Sequence, residues 1–173
     1  LKKILFLFSF LLFGFFFFPS FASAATEVGG LFDEDVIWTK ANSPYIVKNE
    51  LWGYQQGGFP YGGHGIGFRE GRTFTIEPGV VVKFEPGASI DTSRGKLIAK
   101  GTGVDPIIFT ALADDSAAGD TNGDGAASLP YKGFWWSFAL GNLSELEHSE
   151  VRYGYTCLEY ASESLPNFCR HHA

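Results

Sequence analysis

The sequence predicts an all-β solenoid, a chain of short strands wound into stacked coils. Three observations carry this reading. Short β-type runs recur between Gly and Pro turns, and no segment after residue 24 holds a sustained 3.6-residue apolar stripe. One turn, Glu77-Pro78-Gly79, returns eight residues later as Glu85-Pro86-Gly87. A longer spacing of about 22 relates 74–79 to 96–101, the length that several short strands per coil require. An antiparallel sandwich also repeats strands every ~8–12 residues, but the duplicated turn favours stacked coils.

The elements follow in chain order. Lys2 and Lys3 precede an uncharged run, 4–18, that holds eight Phe; Pro19 and Ser20 break it, and Ala22-Ser23-Ala24 supplies small residues at cleavage spacing. This is the pattern of a secretory signal peptide, 1–24; the run is short for a membrane span of ~20 residues. Cleavage takes two lysines and no acid from the 173-residue chain, so 149 residues remain and the formal charge goes from −6 to −8. The acidic balance excludes an electrostatic nucleic-acid binder. No second apolar stretch is long enough to span a membrane, so the mature chain is expected to be secreted or at the cell surface.

Residues 25–43 read as a linker or N-terminal cap, and 44–155 as the coils. Strands are expected at 45–47, 73–76, 80–84, 97–99, 107–110, 134–138 and 150–153, each of three to five residues. In each Glu-Pro-Gly turn, Pro presets φ and Gly accepts positive φ, as a type II turn needs. Residues 52–69 form a Gly- and aromatic-rich insertion, and 113–131 an acidic one. After Tyr155 the pattern fades into an irregular tail, 156–173, which holds Cys157 and Cys169. In an exported protein these two cysteines pair as a disulfide or remain free thiols.

The stretch 75–88 is similar to the opening coils of bacterial right-handed parallel β-helix repeat proteins, and so are 95–102 and 106–110. The acidic insertion at 114–125, the strand start Gly133-Phe134-Trp135, and Leu146-Glu147-His148 leading into 151–154 also resemble that group. The resemblance covers about residues 43–154. It implies a short right-handed parallel β-helix of about four coils. It leaves activity open, because such modules occur in many secreted and surface proteins. Ser149 stands where the group usually has an apolar residue, and the few coils suggest a truncated chain whose last coil is uncovered. Enzymes on this fold are commonly polysaccharide lyases or glycosidases, so the resemblance admits such an enzyme. The group Glu147, His148, Glu150 and Arg152 is its nearest candidate, although it reads more simply as a solvated charged face.

Two further motifs bear on chemistry. Asp120-Thr121-Asn122-Gly123-Asp124-Gly125 matches the first half of a calcium loop, in which oxygen side chains at alternate positions converge on one hard cation. Its twelfth position is Tyr131 rather than Glu, which argues against an EF-hand; Asp114 and Asp115, just upstream, could complete a loop-type calcium site. Trp135 and Trp136 are adjacent on an expected strand, which turns one inward and the other outward. An outward Trp can stack on sugar rings, pointing to extracellular polysaccharide or cell-wall glycan as partner. The alternative is that the tryptophans serve the core and staple loops. His64 lies alone in a Gly-rich loop and is a weak ligand candidate. The combined expectation is a non-enzymatic surface module with a calcium loop, with a calcium-dependent lyase or glycosidase and a carbohydrate-binding module as alternatives.

Overall fold

In the computed structural model, residues 24–56 and 59–156 are described. The signal-type segment 1–23 and the two cysteines, Cys157 and Cys169, lie outside them. The described residues carry fifteen short strands: β1 (Thr26–Val28), β2 (Gly30–Phe32), β3 (Val36–Trp38), β4 (Tyr45–Val47), β5 (Leu51–Gln56), β6 (Phe59–Phe68), β7 (Thr73–Ile76) and β8 (Val81–Phe84) lead the series. They are followed by β9 (Ser89–Thr92), β10 (Lys96–Lys100), β11 (Ile107–Ala111), β12 (Trp135–Leu140), β13 (Glu145–Glu147), β14 (Ser149–Val151) and β15 (Gly154–Thr156). A single 3₁₀ turn, Lys40–Asn42, separates β3 from β4. No helix among the described residues is long and apolar enough to cross a membrane.

The strands form three sheets. Sheet A runs β1-β4-β8-β11-β14, sheet B runs β2-β6-β9-β12-β15, and sheet C runs β3-β7-β10-β13. Every neighbouring pair within them is parallel. The chain visits A, then B, then C, and begins again one strand further along each sheet. The architecture is therefore all-β, parallel and repeat-like, compatible with a solenoid.

Register corrects the spacing read from sequence. Phe74 lies opposite Leu97, an offset of 23 rather than 22. The extra residue keeps apolar side chains on one face: Phe74, Ile76, Leu97 and Ala99 are all buried, whereas an offset of 22 would set Phe74 against Lys96. On sheet A, Val82 lies opposite Phe109, an offset of 27, because the corner at 101–106 is longer than Glu77-Pro78-Gly79. The 25–43 stretch, read as linker or cap, supplies β1, β2 and β3, which pair with β4, β6 and β7.

The 52–69 insertion is an antiparallel hairpin, β5 with β6, and the last residues of β6 join sheet B beside β2 and β9. Its glycines admit the Trp52 indole: a Cβ at Gly67 would lie 2.6 Å from that ring. The 113–131 insertion holds turns and no strand.

The interior is a column of apolar side chains contributed by all three sheets. Trp38 stacks on Tyr45 at 4.4 Å and meets Phe74 edge-on at 4.6 Å. Phe84 stacks on Trp135 at 4.1 Å, and Phe109 meets Phe138 edge-on at 4.8 Å. Such pairs add about 0.5–1.5 kcal/mol each beyond the area they bury. Ser149 faces inward in the last circuit, where its hydroxyl donates to the carbonyls of Ala99 and Glu147. That satisfies the polar group which replaces an apolar one.

The two Glu-Pro-Gly turns occupy two corners of one circuit. Gly79 and Gly87 have φ of 79° and 78°, the conformation the turn demands. Each turn also ties its neighbours. The Glu77 carboxylate accepts from the Lys40 N–H and that of Glu85 from the Asn49 N–H, both one circuit earlier. The Gly79 and Gly87 N–H groups donate to the carbonyls of Asp105 and Phe134, both one circuit later. The repeated motif is thus a stacking device. It continues the ladder of hydrogen bonds through corners where strand pairing stops.

Candidate functional site

On sheet A, Val82 and Phe84 point into the core, so the intervening Lys83 points outward. Its register partners are Ile46 on β4 and Thr110 on β11. An outward lysine is ordinarily solvated, yet Lys83 is 0% exposed, and Ile46 and Thr110 are buried with it. The cover is the acidic insertion. The Lys83 ammonium donates to the Gly119 carbonyl at 2.7 Å. Burial lowers the Lys83 pKa below its usual value, while Asp115, Asp114 and Asp120 act in the opposite sense.

The sequence-predicted calcium residues divide into two groups. Asp114 is 3% exposed; it accepts from the Thr110 hydroxyl at 2.5 Å and from the Ser116 hydroxyl and N–H. Arg152 reaches the same carboxylate at 3.5 Å. Burial alone would raise the Asp114 pKa, but these hydrogen bonds and the guanidinium outweigh it and hold the pKa below the usual range. Asp120 accepts from the N–H groups of Gly125, Gly123 and Asp124, which lower its pKa, with Lys83 adding to the effect. The Asn122 amide and the Ser128 hydroxyl both donate to Asp124. One Asp115 oxygen and the Thr121 hydroxyl are buried without a partner. Both Asp120 oxygens and both Asp114 oxygens are therefore engaged by the protein's own donors. Among the described residues, no three His, Cys, Asp or Glu side chains converge as metal ligands would.

The tryptophan pair splits as strand geometry requires. Trp135 is 0% exposed, lies on Phe84, and donates its indole N–H to the Arg152 carbonyl. As a carbohydrate contact Trp135 is corrected: its ring belongs to the core. Trp136 is 63% exposed on the outer surface. The pairing of β12 with β15 puts Trp136 beside Tyr155, which is 70% exposed. The Tyr155 ring lies across Gly133, 3.2 Å from where a Cβ would stand there. Tyr131 is exposed as well and packs at a tilt on Phe134. Tyr155 is the member of this ledge that sequence reading missed, because its register with Trp136 depends on a connection of eighteen residues.

The group at 147–152 divides, and only its Glu150–Arg152 pair joins Asp114. The Arg152 guanidinium binds Glu150 at 2.6 Å as well as Asp114 and the Ser116 hydroxyl. Glu150 and Arg152 do share a face. Glu147 pairs instead with Lys100, which also binds Glu145. His148 occupies the corner between β13 and β14 with φ of 43°, and His64 sits exposed in the hairpin. Comparison with family models, with curated proteins and with solved structures gives no match for the chain.

Proposed function

We propose that the three sheets wind as a right-handed parallel β-helix, and that the chain is an exported, non-enzymatic module presenting an aromatic ledge to extracellular polysaccharide or cell-wall glycan. The observation that carries this reading is the exposed pair Trp136 and Tyr155, side by side on the outside of sheet B. Aromatic side chains on paired strands, whose backbones lie about 5 Å apart, offer a surface on which the apolar face of a sugar ring can lie. A rigid stack beneath keeps that platform in place before binding, which lowers the entropic cost of association. Export is supported by the charge, apolar run and small-residue site of 1–24.

The test is binding of the intact mature chain to a panel of soluble polysaccharides and cell-wall fractions by calorimetry and pull-down. Binding that falls at least about tenfold in Trp136→Ala, a loss of ~1.4 kcal/mol, with an unchanged melting temperature, is the expected result. Binding indifferent to Trp136→Ala and Tyr155→Ala, or no binding at all, overturns it. Release of unsaturated, ultraviolet-absorbing products from uronate polymers would replace it with the lyase reading.

A further inference from the structure

We infer that Lys83 is the built-in cation of the acidic insertion, its ammonium holding the Gly119 carbonyl from beneath and fastening residues 114–125 to the outer face of sheet A. The sequence of the insertion asks for a positive charge: Asp114, Asp115, Asp120 and Asp124 fall within eleven positions. The fold supplies one from beneath. Lys83 projects from the middle of β8 into the underside of the insertion and is wholly removed from solvent there.

The insertion is shaped to receive it. Ala118 and Gly119 have φ of 58° and 75°, two successive left-handed residues, and the Gly119 carbonyl so placed accepts from the ammonium at 2.7 Å. A non-glycine residue in that conformation is strained, and the contact with Lys83 is what the strained turn makes possible. Three carboxylates, Asp115, Asp114 and Asp120, favour the charged form against burial. A second clamp comes from the following circuit, where Arg152 reaches Asp114 and Ser116. The insertion is thereby held by cations from two circuits, Lys83 on β8 and Arg152 after β14. Its order follows from side chains that are always present and does not depend on the calcium supply.

Hydrogen exchange of the folded mature chain tests this. The probes are the Gly123 and Gly125 amides, which donate to Asp120, and the Val82 and Phe109 amides of sheet A serve as the internal reference. In the wild type, protection at Gly123 and Gly125 is expected to agree within about twofold between excess chelator and millimolar calcium. In Lys83→Met the same amides are expected to exchange at least about tenfold faster while Val82 and Phe109 stay protected. Asp115→Asn, at a partly exposed position, decides the matter if Lys83→Met does not fold; about threefold faster exchange at Gly123 and Gly125 is expected. Protection in the wild type that needs calcium overturns the inference. So does unchanged protection in a folded Lys83→Met, or in Asp115→Asn where that variant decides.

Discussion

Sheets A and B share one core and are each parallel throughout, yet their outer surfaces are opposites. The outside of sheet A, at Ile46, Lys83 and Thr110, is roofed by the 113–131 insertion and sealed with the protein's own charges. The outside of sheet B, at Trp136 and Tyr155, is bare and aromatic. The inward residues of both are mainly apolar groups that define the stack. The outward residues decide whether a face is closed by the chain itself or left for another molecule.

The largest effect that sharpens this contrast comes from neighbouring tryptophans on opposite sides of one strand. Trp135→Ala should cost about 3–5 kcal/mol, because it empties a packed interior site and leaves the Arg152 carbonyl without its donor. Trp136→Ala should move stability by no more than about 0.5 kcal/mol. Denaturant unfolding of the two variants measures both; equal losses would abolish the distinction between inner and outer faces.

Next in size are the corners that hold the circuits in line. Glu85 accepts from the Asn49 N–H and pairs with Lys48, which itself reaches back to Glu27. Burial tends to raise the Glu85 pKa, but Lys48 and the Asn49 N–H bring it below the usual value. Glu85→Ala should cost about 0.5–1.5 kcal/mol through loss of that hydrogen bond, read from the same unfolding curves.

Acid should loosen the roofed face before the stack. The folded pKa values of Asp114 and Asp120 lie below their ordinary value of 3.8. Their stabilisation is therefore fully present above that ordinary value and is lost as pH falls through the folded values. Exchange at Gly123 and Gly125 followed during an acid titration should accelerate at a higher pH than exchange at Phe109. Simultaneous loss would mean that the insertion and the stack are one cooperative unit. The smallest effect belongs to Ala118, held at φ of 58°. Ala118→Gly should raise stability by about 0.5–1 kcal/mol through relief of the left-handed strain, visible as a higher melting temperature.

Much of the stack was legible in the sequence, and the reasons are physical. Alternation in Thr73–Ile76 is strict because one face meets the core, and a Glu-Pro-Gly turn writes its backbone conformation into its residues. The strands β1, β2 and β3 were illegible as such. Each has only three residues and takes its order from β4, β6 and β7 rather than from its own propensity. Strand β9, Ser-Ile-Asp-Thr, escaped notice because Thr92 stands inward in place of an apolar residue and donates to the Ala139 carbonyl. In the candidate site, the acidic motif and the inward–outward split of the tryptophans were readable locally. Lys83 was not, since within the run Val80 to Phe84 it reads as one more strand residue. Its burial depends on an insertion some thirty positions later.

The stacking itself is tested most directly by backbone nuclear Overhauser contacts across sheet C. Parallel contacts linking Ile37 to Thr75 and Thr75 to Ile98, with Phe74 beside Leu97, are the result this structure requires. Antiparallel contacts between these segments, or none, would contradict it.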